Sequence, residues 1–135
     1  MQPVPIHAAP FIVAVLVKIV IGWLWYSPML FLKQWQQLSG VTDEQMRDSM
    51  AKAMVTWIAG ALVMTFVLAH AVYYAGANTA VLGAAVGFVN WLGFIFVVQL
   101  DGWAADKRPF KLVAINTGSH LIALVIMGAI LAAWT

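Results

Sequence analysis

Residues 53–100 read AMVTWIAGALVMTFVLAHAVYYAGANTAVLGAAVGFVNWLGFIFVVQL, and none of them is Asp, Glu, Lys or Arg. A helix rises about 1.5 Å per residue, so roughly 20 apolar residues cross the hydrocarbon core of a bilayer. The stretch is long enough for two crossings. Its one interruption is Gly76-Ala77-Asn78-Thr79, a short run that favours a turn. Two spans joined so tightly run antiparallel, so residues 53–75 and 80–100 are expected to form a membrane-embedded helical hairpin.

Outward from this hairpin, residues 8–26 and 112–134 have the same length and apolar character. The connections differ: 27–52 is long and amphipathic, 101–111 short and charged. The expected fold is therefore all-α, an integral membrane bundle of four transmembrane helices arranged as two hairpins, in a single domain over 1–135. Composition agrees, with 64% hydrophobic and 9% charged residues, where soluble domains carry roughly 25% charged residues. In water such a chain would expose large apolar patches and associate through them.

Several function classes are excluded on the same ground. The net charge of +2 is scattered between spans rather than gathered on one face, which argues against a nucleic-acid partner. With no cysteine, disulfides, thiolate metal sites and thiol nucleophiles are impossible. The sequence contains no HExxH, phosphate loop, paired carboxylate or nucleophile–base motif, so a non-enzymatic protein is expected. No Lys or Arg precedes the first apolar run, Lys18 interrupts it, and Pro28 follows where a cleavage site would need small residues. The first span is expected to remain in the mature protein.

Basic residues accumulate in loops left on the cytoplasmic side. Lys33, Arg47 and Lys52 fall in 27–52, and Lys107, Arg108 and Lys111 in 101–111, which places both loops inside and both termini outside. Ser27-Pro28 stops the first span. Residues 29–38 then mix apolar and polar side chains as an interfacial amphipathic helix does, and Gly40 ends it. Trp25, Tyr26, Pro28 and Trp35 form the expected interfacial anchor. Thr42-Asp43-Glu44-Gln45 matches a capping box, so the second helix is expected to start in water, about seven residues before it enters lipid. Trp91, deep in the third span, reads as a packing residue.

Polar groups inside spans need a physical reason. Lys18 lies roughly 12 Å from the inner end of the first span, and a charge there costs about 2.5–3.5 kcal/mol on insertion scales. Ala14 and Gly22, at i−4 and i+4, place it on a packed face. Asn90 lies about 15 Å deep in the third span and His120 about 13 Å deep in the fourth, with Asn116 one turn below. Asn90 is on the side of its helix marked by Gly83 and Gly87, a GxxxG seam for tight packing. Lys18, Asn90, Asn116 and His120 thus read either as a midplane site for an anion, a proton or a polar ligand, or as interhelical hydrogen bonds. His70 and His120 raise the alternative of a haem or chlorin ligand. They differ in depth by about 12 Å, so they cannot easily clamp one macrocycle, and no cofactor is expected.

The stretch Trp25-Tyr26-Ser27-Pro28, then Leu30-Phe31, Lys33, Trp35, Gly40 and Thr42-Asp43-Glu44, resembles the bacterial four-helix membrane family catalogued as domain of unknown function number seventeen sixty-one. The likeness continues through the charged loop before Phe110-Lys111 and the segment from Asn116 to Gly128. It implies a four-helix fold and a bacterial inner (cytoplasmic) membrane location, and brings no catalytic residues. Leu32 stands where members commonly show glycine, which implies a local difference in the interfacial turn. The leading expectation is an accessory or structural subunit of a larger membrane complex, or a self-associating bundle, with the bilayer, itself or other membrane subunits as partners. The alternatives are a small oligomeric transporter or channel lined by Lys18, Asn90 and His120, and a haem- or pigment-binding subunit.

Overall fold

A computed structural model describes residues 3–134. Helix α1, Ala8–Trp25, ends where Ser27 and Pro28 stand; the Ser27 hydroxyl donates to the Leu24 carbonyl at 2.7 Å. The helices that follow are α2, Leu32–Ser39; α3, Asp43–Asp48; α4, Met50–Tyr74; α5, Ala80–Trp91; α6, Val97–Ala104; and α7, Phe110–Ala133. A π-helical segment, Leu92–Phe96, joins α5 and α6 into one rod. Among the described residues there is no strand. Four rods, α1, α4, α5 with α6, and α7, are long and apolar enough to cross a membrane, and the protein is an integral membrane helical bundle.

Two local expectations are corrected. The interfacial helix begins at Leu32 rather than residue 29, because residues 27–31 are taken up by a turn in which the Leu30 and Phe31 amides donate to the Ser27 and Trp25 carbonyls. Gly40 closes α2 in the left-handed conformation, φ 77°, which glycine adopts without a Cβ penalty. The Thr42–Gln45 capping box is formed, yet the helix it starts does not run on into the span. Ser49 leaves helical geometry and its hydroxyl donates to the Gln45 carbonyl at 2.9 Å, the kind of local bond by which serine competes with a helix ladder.

α7 is the centre of the bundle. Eleven of its residues are buried against four in α4 and three in α1, and it packs on α5, α1 and α4. Ala14, Leu68, Val72, Trp91, Ala123, Leu124, Met127 and Leu131 make the apolar core. The closest approach is between α5 and α7. A Cβ on Gly83 would overlap the Gly128 carbonyl, one on Gly87 the Leu124 carbonyl, and one on Gly128 the Gly83 carbonyl. Small residues that let backbones touch are a main source of helix association in lipid, where the hydrophobic effect gives no drive.

The outer surface is what a lipid solvent selects. Val63, Val81, Val89 and Phe94 are more than half exposed, which would be a liability in water.

Candidate functional site

Several polar side chains in the spans bond back to their own helix. Thr65 donates to the Ala61 carbonyl at 2.7 Å, Thr117 to Val113 at 2.8 Å and Asn90 to Val86 at 2.8 Å. His70 Nδ1 lies 2.8 Å from the Phe66 carbonyl. Such i−4 bonds satisfy polar groups where no water is present.

Three hydrogen bonds that join one span to another converge on residues 115–117 of α7. Trp25 Nε1 donates to the Ile115 carbonyl at 2.7 Å, the Tyr26 hydroxyl to Asn116 Oδ1 at 3.0 Å, and Trp91 Nε1 to the Thr117 carbonyl at 2.8 Å. Ser119 is also within reach of the Tyr26 hydroxyl. A carbonyl oxygen has two lone pairs, so Ile115 and Thr117 accept an indole N–H without giving up their helix bonds. Gly118 provides the room: a Cβ there would stand 2.8 Å from the Trp25 ring. Thr117 and Ser119 are almost fully buried. In sequence this hub is only the short polar run Asn116-Thr117-Gly118-Ser119-His120 inside an apolar helix.

Trp25 and Tyr26 were expected as interfacial anchors; here they tie α1 to α7. Of the other two anchor residues, Pro28 is exposed, and Trp35 is partly buried and meets Tyr26 edge-on with ring centroids 5.9 Å apart. Trp91 is buried and stacks on Phe96 at 5.1 Å. The spacing of five residues between them suits the wider π-helical turn, marked by the Val97 amide donating to the Leu92 carbonyl. A single π turn leaves no periodicity in composition, so sequence reasoning had no signal for it.

Lys18 on α1 and His120 on α7 are within electrostatic reach of each other. Both are partly buried, and His120 Nδ1 is buried with no hydrogen-bond partner. Asn116 lies one turn below His120 in the hub. The Asn90 amide donates to the Val86 carbonyl of its own helix. Gly22, expected as a packing residue, makes no close contact within the chain. Nothing lies within 4 Å of where its Cβ would stand, because at this end of α1 the contact with α7 is made by the Trp25 ring rather than by backbone. A cavity of about 260 Å³ lies elsewhere, lined by Pro10, Phe11, Val72, Tyr73 and Leu131 among others, about 10 Å along α1 from Lys18. His70, near the C-terminal end of α4, sits between Phe66 and Tyr74, with ring centroids at 4.4 and 6.2 Å. Among the described residues, no group of three His, Cys, Asp or Glu is placed to hold a metal.

A family model described as "Protein of unknown function (DUF1761)" matches residues 9–132. No curated protein and no solved structure matches the chain.

Proposed function

We propose, since the chain belongs to the DUF1761 family, that it is a non-enzymatic membrane subunit that works by lateral packing, as an accessory part of a larger complex or as a self-associating bundle. The observation that carries this reading is α4. It is the longest single α-helix, at 25 residues, yet only Ala61, Thr65, Leu68 and Val72 are buried. Gly60 in its interior has nothing within 4 Å of its Cβ position. A helix-interior glycine costs about 1 kcal/mol relative to alanine, and here no contact within the chain offsets it. A helix that approached α4 from outside would find a close-contact point there.

The proposal places the protein in a bacterial inner membrane with both termini outside and residues 27–52 and 101–111 in the cytoplasm, supported by the basic residues of those loops. Gentle solubilisation followed by native mass spectrometry tests the assembly. A defined oligomer or a stoichiometric partner is expected; a monodisperse monomer overturns the reading.

Lys18 and His120, two ionisable groups inside spans and within electrostatic reach of each other, favour transport as the second reading, with an oligomer enclosing the pathway. It requires that Lys18→Met inserts and assembles but loses flux in proteoliposomes, and unchanged flux removes it.

A further inference from the structure

Among the described residues, Lys18 is the only charged one more than about one turn inside a span. It is about 15 Å of helix rise from the start of α1 and about 10 Å from its end. The Cα–Cβ bonds of a helix tilt toward its N-terminus, so reaching for the nearer boundary works against the direction in which the side chain leaves the backbone. Snorkelling is therefore a poor solution. Among the described residues the ion pair present is Arg108 with Asp106 at 3.8 Å, in the third connection, and no carboxylate is within ion-pair distance of Lys18. Lys18 is instead within electrostatic reach of His120, whose buried Nδ1 has no hydrogen-bond partner.

A second copy of the chain cannot supply the missing charge. Asp43, Glu44, Asp48, Asp101 and Asp106 all lie at or beyond the ends of the spans. Closing two copies on the seam between α1 and α7 would set ammonium against ammonium in a medium of low dielectric, where like charges repel strongly. A counter-charge for an ionised Lys18 therefore comes from a different molecule. A small soluble anion would have to shed its hydration to reach this depth, and the 260 Å³ cavity is lined by residues other than Lys18. A lipid headgroup stops at the boundary, about 10 Å short. A transmembrane helix laid along the seam has neither difficulty. Gly22, one turn from Lys18, offers an open notch for its close approach.

We infer that the seam between α1 and α7 docks a transmembrane helix of a different protein, which places an Asp or Glu against Lys18 beside His120. This rests on the assembly reading above and narrows it to a heteromeric partner whose span carries an acid.

Dicyclohexylcarbodiimide tests it in native membranes. The reagent dissolves in lipid and activates carboxyl groups, which then form an amide with a neighbouring amine. The expected product is a peptide containing Lys18 joined to an Asp or Glu within a span of another protein. Lys18→Arg keeps the complex but yields no amide. Lys18→Met and Gly22→Leu each lower recovery of the complex at least ten-fold, while the isolated Lys18→Met chain melts at a higher temperature because an uncompensated charge is gone. An amide to a fatty acid, or no amide at Lys18, overturns the inference. So does a homo-oligomer indifferent to Lys18→Met, which leaves the assembly reading standing; a monodisperse monomer removes both.

Discussion

The indole nitrogen of Trp25 donates a 2.7 Å hydrogen bond to the carbonyl of Ile115, 90 residues further along the chain. The bond joins the end of the first span to the beginning of the last, and the Trp25 ring lies on Gly118 in the next turn of α7. Tyr26 repeats the attachment through Asn116, and Trp91 arrives at Thr117 from α5. α7 is thus the helix to which the others are fastened.

Trp25→Phe keeps most of the ring and loses the bond, so a loss of about 1 kcal/mol is expected. Trp25→Ala also opens a cavity and is expected to cost about 3–5 kcal/mol. Unfolding in mixed micelles with a denaturing detergent measures both. A Trp25→Phe protein as stable as the parent would mean that the indole N–H contributes nothing.

Gly87→Ala forces a methyl into the Leu124 carbonyl, so α5 and α7 have to separate, at an expected cost of about 1–3 kcal/mol. Gly60→Ala is the control. It meets nothing within the chain and is expected to leave the isolated protein unchanged or stabilise it by up to about 1 kcal/mol. Equal effects from the two substitutions would show that the α5–α7 contact is not a close one.

Tyr26→Phe and Asn116→Ala are expected to be non-additive, with a coupling of about 0.5–1.5 kcal/mol in a double-mutant cycle, since they remove two ends of one bond. Additive losses would place the Tyr26 hydroxyl with another partner, Ser119 being the one within reach.

The chain has no cysteine, so single introduced thiols report topology cleanly. Asn78→Cys, in the turn between α4 and α5, is expected to react with a membrane-impermeant maleimide on intact cells. Asp106→Cys, in the exposed third connection, is expected to react only after permeabilisation. The reverse pattern would invert the orientation and put both termini in the cytoplasm.

The spans were legible because lipid imposes a simple demand on composition: residues 53–100 contain no Asp, Glu, Lys or Arg and turn only at Gly76 to Thr79. The capping box at Thr42 was legible too, since it is a bond between residues three apart. The independence of α3 from α4 was not, because it depends on how Ser49 spends its hydroxyl. The hub on α7 was missed for a related reason: Trp25 and Trp91 look in sequence like any aromatic near a boundary or in a core.

The sequence by itself determined that this protein dissolves in a bilayer, crosses it with four helices and carries one deep charge with no acid at its level. Only the tertiary structure decided that α7 is central, that Gly83 and Gly87 meet Gly128 and Leu124, that Lys18 is within electrostatic reach of His120, and that the Asn90 amide bonds to its own helix. The physical reason is that hydropathy and capping act along one helix, within a few residues. Which face meets which depends on side-chain shape across spans far apart in the chain, and in an apolar solvent the hydrophobic pattern does not mark the inward face.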